Sequence, residues 1–178
     1  AISDDDFDAV ADQSVTATTT DDDVAGFTIV ETDGSTAVAE TGTTDTFTIV
    51  LNAQPASNVV LTVTSSDTGE ATVTSTLTFT PLNWNTAQTV TVTGVDDNII
   101  DGSVNSTLTV TVVDAASDDN FDAVADQTVT ATTTDNDVAG FTIAQTGGST
   151  SVAETGTTDT FTVVLNAQPD SDVVFAIT

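Results

Sequence analysis

The sequence predicts an all-β protein made of antiparallel β-sandwiches in tandem, and three observations carry that expectation. Val, Thr, Ile and Phe, which favour strands, dominate a chain of 178 residues that has only 3 prolines and no cysteine. Runs such as TVTVTGV (89–95) and TLTVTVV (107–113) alternate apolar and hydroxyl side chains, the pattern of a sheet with one solvated face. Finally, Phe7 to Val60 recurs almost unchanged at Phe121 to Val174, an offset of 114 residues. That is the length of one sandwich domain, and too long for a solenoid rung.

Each strand follows from period-two alternation bounded by Gly, Asn, Asp or Pro. GFTIV predicts the first strand at 26–30, which continues at 35–39 as STAVA. TDTFTIVL predicts the second at 44–51, SNVVLTVTS the third at 57–65, and ATV a short fourth near 71–73. A fifth strand is read in two pieces, 77–80 and 88–95, on either side of PLNWN. The sixth covers 106–113 and the seventh 127–133. On this reading 24–137 is one complete repeat. Residues 1–23 are the last strand and loop of a preceding repeat, and 138–178 the first strands of a following one. The natural molecule is then expected to continue beyond both ends, or neighbouring copies to complete the partial domains.

Charge is the second source of inference. The chain has no Lys, Arg or His against 28 acids, a formal net charge of −28. No internal salt bridge is possible between side chains. If the seven strands alternate up and down, the loops holding Glu40, Asp67, Asp96, Asp97, Asp101, Asp135 and Asp137 share one end of the sandwich. Two carboxylates about 4 Å apart repel by about 4 kcal/mol at an effective dielectric near 20. Ca²⁺ relieves this, because it accepts 6–8 oxygen ligands. Without His or Cys, Zn²⁺ and Cu²⁺ lack their preferred ligands, and Mg²⁺ rarely occupies all-protein cages.

The stretches VAETGTTDTFTIVL (38–51), GVDDNIIDG (94–102) and TATTTDNDVAGF (130–141) resemble a Calx-beta domain. The resemblance implies a seven-stranded immunoglobulin-like sandwich that binds calcium in the loops at one end. Carried over position by position, it implies as ligands Glu40, Asp67, Asp96, Asp97, the backbone carbonyl of Ile99, Asp101, Asp135 and Asp137. The family's closing acidic triplet stands intact as Asp21, Asp22 and Asp23, but its middle member is Asn136 in the complete repeat, and Gly102 replaces a further acid. Glu154 repeats Glu40 in the following copy. A second cluster, with Asp118 and Asp119 at its centre, lies in the loop at the opposite end. In a head-to-tail array it would face the Asp21–Asp23 end of the preceding repeat, an expected interdomain calcium site.

Several features need no functional reading. Asp8, Asp12, Asp33, Asp45 and Asp159 fit turn and solubilising acids. Trp84 fits packing at the edge of the core, and the T-x-T runs fit the polar faces of ordinary strands. Without His, Lys, Cys, Tyr or Arg the chain lacks a nucleophile, an oxyanion stabiliser and a phosphate clamp, so no enzyme activity is expected. Nucleic-acid binding is excluded because phosphate contacts need cationic side chains. No apolar run approaches the roughly 20 residues of a membrane helix. The expected function is a calcium-binding segment of an extracellular or cell-surface rod, filament or adhesin stalk. Its partners would be neighbouring repeats or copies of itself, with a cell-surface or matrix partner beyond. An adhesive module binding carbohydrate or protein through its loops is the second reading, and a calcium sensor the third.

Overall fold

The computed structural model describes residues 5–7 and 9–178, and Asp8 lies outside them. Strict alternation produces strands whose buried residues recur at every second position. The strands are β1 (Phe27–Glu31), β2 (Thr36–Ala39), β3 (Thr44–Leu51), β4 (Val59–Ser65), β5 (Ala71–Val73), β6 (Thr76–Phe79), β7 (Gln88–Gly94), β8 (Val104–Val112), β9 (Gln127–Thr134), β10 (Phe141–Gln145) and β11 (Phe161–Leu165). Two sheets, ordered β1-β3-β7-β5 and β2-β9-β8-β4-β6, enclose one apolar core. All-β architecture and the sandwich are therefore as expected.

Two details differ from the sequence reading. The pieces read as one interrupted strand are separate: β6 pairs antiparallel with β4, whereas β7 lies in the other sheet between β3 and β5. The segment Pro81–Thr86 turns the chain from one sheet to the other, with Thr80 N–H and hydroxyl both donating to the Asn83 side-chain oxygen. The other detail is that β2 and β9 run parallel, with Thr36 opposite Ala131 and Ala39 opposite Thr134. The remaining pairs in the sandwich are antiparallel.

The core is built from inward-facing residues of both sheets, among them Phe47, Ile49, Leu61, Phe79, Val90 and Leu108. Trp84 packs partly buried against its edge. β10 and β11 form a separate hairpin, in register with Phe141 opposite Leu165. Residues 9–23 are exposed and carry no strand. The pairing directions bring the β2–β3, β4–β5 and β7–β8 connections and the end of β9 to one end of the sandwich, its top.

Candidate metal centre

Four chain segments reach the top, and each delivers acids. β2 runs straight into Glu40, whose backbone N–H donates to the carbonyl of Thr134 at 3.1 Å and so fastens it to the end of β9. A Cβ on Gly94 would collide with the Ala39 carbonyl, so glycine alone lets β7 close against β2 immediately before Glu40. β4 leads into a turn in which the Asp67 carboxylate accepts the Gly69 N–H at 2.9 Å, and the turn delivers Glu70 just before β5. The β7–β8 loop carries Asp96, Asp97 and Asp101, and β9 leads directly into Asp135, Asn136 and Asp137.

These acids converge. One oxygen each from Glu40, Asp135 and Asp137 lie within 4.8 Å of one another, and so do oxygens of Glu40, Glu70 and Asp101. Glu40, 1% exposed, belongs to both groups. The Asn136 N–H, donating to its Oε2 at 3.0 Å, lowers its pKa. Burial and the charges of Asp135, Asp97 and Asp137 outweigh that and leave it above the ordinary glutamate value. Burial, then the charges of Asp101 and Asp67, push Glu70 up as well. Asp135 goes the other way, because the N–H groups of Asp137 (2.6 Å) and Gly102 (2.9 Å) stabilise its anion. Asp137 is raised by burial and by the charge of Asp135.

The Oδ2 atom of Asp137 is buried and accepts no hydrogen bond. A buried carboxylate oxygen without a donor is costly, and no side chain here carries a positive charge to offset it. A cation from solution would. The donor set is entirely oxygen and includes two buried glutamates, which suits a hard ion of high coordination number. The residues present therefore fit Ca²⁺.

Of the residues anticipated from sequence, Glu40, Asp101, Asp135 and Asp137 come together, and Glu70 joins them unanticipated. Asp96 and Asp97 stand at the rim. Asp96 accepts from the Asn136 side-chain amide at 3.1 Å, and Asp97 caps the Ile99 N–H at 2.7 Å. Asn136 thus braces two acids, through its main chain to Glu40 and its side chain to Asp96. Asp67 is exposed and acts on Glu70 through its charge. Ile99 is half-buried and bridges in parallel to Gln168, whose N–H donates to the Asn98 carbonyl at 2.6 Å.

The other anticipated ligands lie apart. Among the described residues, neither convergent group contains Asp21, Asp22, Asp23, Asp118, Asp119 or Glu154. Asp21 accepts the Asp23 N–H at 3.1 Å, the turn that Asp135 makes with Asp137, but all three acids are exposed. Glu154 is exposed too. Asp118 is buried at the lower end, where Oδ2 accepts N–H groups of Ala56 (2.6 Å) and Ser57 (2.9 Å) and Oδ1 that of Asn120 (3.0 Å). Its oxygens are spent on tying two loops together. Asp119 is exposed beside it.

No family model matches the sequence, and no curated protein does. Solved structures of similar outline include the apo-form Calx CBD1 domain, at 12% identity and TM-score 0.44 over 62% of this chain and 98% of that one. SSP-19, an MSP-domain protein like family member in Caenorhabditis elegans, aligns at 20% identity and TM-score 0.37 over 57% of this chain and 92% of that one. Domains 1–6 of the surface layer protein SbsC align at 19% identity and TM-score 0.45 over 87% of this chain and 23% of that one.

Proposed function

We propose that the chain is a calcium-binding structural segment of a long extracellular rod, filament or stalk, in which Ca²⁺ neutralises the acidic top of each sandwich and stiffens the joint to the next. The observation that carries this is the pair of convergent groups sharing buried Glu40, with Asp137 Oδ2 left without a donor in a chain devoid of cationic side chains. Glu40, Asp135 and Asp137 would hold one ion, with Glu40, Glu70 and Asp101 offering a second group. Bound ions would supply the positive charge that the sequence omits.

The same loop that carries Asp96, Asp97 and Asp101 touches the segment C-terminal to the sandwich. Beyond the Asn98–Gln168 contact, Ile100 lines a cavity of about 190 Å³ together with Phe141, Leu165, Pro169 and Phe175. Asp137 is separated from β10 by only Val138, Ala139 and Gly140. An ion fixing this loop and Asp137 would therefore hold the joint from both sides. Millimolar extracellular calcium would fill even weak sites, and a fibre without Lys or Arg offers trypsin-like proteases no cleavage point.

Calorimetric titration with Ca²⁺ tests the reading. The wild-type chain should take up calcium, and Glu40→Gln, which removes the carboxylate common to both groups, should lose most of the heat. Titration without heat in the wild type, or with equal heat in Glu40→Gln, would refute it.

A further inference from the structure

Charge is scarce along the sides of the sandwich. Within its strands only two acids stand, Glu31 on β1 and Asp45 on β3, and both are half-buried. Glu31 Oε2 accepts the Thr36 hydroxyl at 2.8 Å, which ties the edge of one sheet to the edge of the other. Asp45 Oδ2 accepts the Ala37 N–H at 2.8 Å, and the Thr43 hydroxyl accepts the Ala39 N–H at 2.7 Å. β2 is an edge strand, paired only with β9. Its Ala37 and Ala39 N–H groups thus go to side chains in place of a second neighbouring strand.

The other edges are closed in the same manner. Gln127, the first residue of β9, donates from Nε2 to the Phe27 carbonyl of β1 at 2.8 Å. Gln88, the first residue of β7, donates from Nε2 to the Thr78 carbonyl of β6 at 2.8 Å. Both caps reach from a strand of one sheet to the edge strand of the other, as Asp45 does. At β5 the Ala71 N–H donates to the Asp67 carbonyl at 3.1 Å. The four edge strands are also short, 3–5 residues against 7–9 for the inner ones. An open edge is a template for pairing with another chain, and proteins commonly guard it with lysine. This chain has no lysine, and tandem repeats are prone to misassembly between neighbours.

We propose that Asp45 and Thr43, with Gln88 and Gln127, are edge guards. Their side chains occupy the edge-strand groups on which a second copy would otherwise pair, and so keep copies from joining side to side. Asp45, which the sequence alone presents as a solubilising acid, acts through the N–H group that its carboxylate occupies. The device is written into the repeat: in the next copy the Ser151 N–H donates to Asp159 Oδ2 at 2.8 Å and the Ala153 N–H to the Thr157 hydroxyl at 2.7 Å. It stands apart from the calcium reading, since none of the four guards belongs to a convergent acid group.

The test is the double variant Thr43→Val with Asp45→Ala, which removes both acceptors from β2. In sedimentation velocity of the full chain at rising concentration it should form multimers beyond those of wild type. Two freed hydrogen bonds should raise the association constant roughly thirtyfold. Amide hydrogen exchange at Ala37 and Ala39 should quicken in single copies of the double variant and slow again in its multimers. Asp45→Asn keeps an acceptor oxygen without the charge and should sediment like wild type. Asp118→Ala strips loop N–H groups of their acceptor at the lower end and leaves β2 capped, so it controls for lost stability and should gain no multimers. Single copies from the double variant would overturn the proposal, and so would multimers in which Ala37 and Ala39 still exchange fast. Equal multimers from Asp118→Ala would assign them to lost stability, and equal multimers from Asp45→Asn to lost charge; either result would overturn it too.

Discussion

At the lower end of the sandwich Asp118 sits between two loops with both oxygens occupied by backbone N–H groups, and those donors hold its pKa below the ordinary aspartate value. At the top Glu40 and Glu70 are as well buried, yet burial and neighbouring acids leave both above the ordinary glutamate value. The sandwich thus uses acids in two ways. Where backbone donors surround a carboxylate, the anion is part of the fold and needs nothing from outside. Where acids face acids, the anion is unstable until something neutralises it. Asp122 shows that crowding alone is not decisive: it too is raised, by local desolvation and by the charge of Asp114, but its side chain is exposed and joins neither convergent group among the described residues.

Calcium should separate the ends most strongly. A ligand at 100 times its Kd contributes about 2.7 kcal/mol per site, and a domain of this size gains roughly 4 °C in Tm per kcal/mol. Filling both groups at the top should raise Tm by about 20 °C relative to chelator, read by thermal melting. Asp118→Ala should show the same calcium-dependent rise from a lower baseline. A rise that disappears in Asp118→Ala would mean that the lower end binds the ion.

Asp118→Ala sharpens the comparison from below. It strips three backbone N–H groups of their acceptor, and buried donors without partners are costly. Tm should fall by roughly 10 °C, equally in calcium and in chelator. Glu70→Gln should do something no lower-end variant does. Without metal it removes a buried charge and should raise Tm by about 4 °C; with calcium it removes a ligand and should lower it. An effect of one sign in both buffers would break the distinction between the ends.

How much of this is legible in the sequence depends on the range of the interaction. Alternation is local, so the strands at 44–51 and 71–73 are found where expected and the others lie within a few residues. The exchange of sheets between β6 and β7 is not visible there, because both pieces alternate alike and their pairing is decided by β4 and β3, which lie outside either piece. Glu40 and Asp135 are legible as acids in loops at one end. Glu70 escapes notice because it sits at the mouth of a strand, although a glutamate among so many aspartates, three residues after Asp67, is a signal. The role of Asp118 is hidden for a different reason: its donors at Ala56 and Ser57 are some sixty positions away.

The smallest effect is the dependence of metal-free stability on pH, and it has opposite signs for the acids that face other acids and for those that backbone N–H groups cap. Glu40 and Glu70 have pKa values raised above 4.5 in the fold. The native state therefore binds more protons than the unfolded chain in the window above that value, and stability rises as pH falls through it. Asp118 and Asp135 are lowered below 3.8. Their contribution is complete above 3.8 and is lost as pH falls through the folded values. In chelator, Tm should increase on moderate acidification and decrease on further acidification. In calcium the first limb should invert, because protons then compete with the ion for Glu40 and Glu70. Asp118→Asn should weaken the acid limb and leave the upper limb in place. A variant at Asp118 that flattened both limbs would show that the capped and the crowded acids titrate as one system.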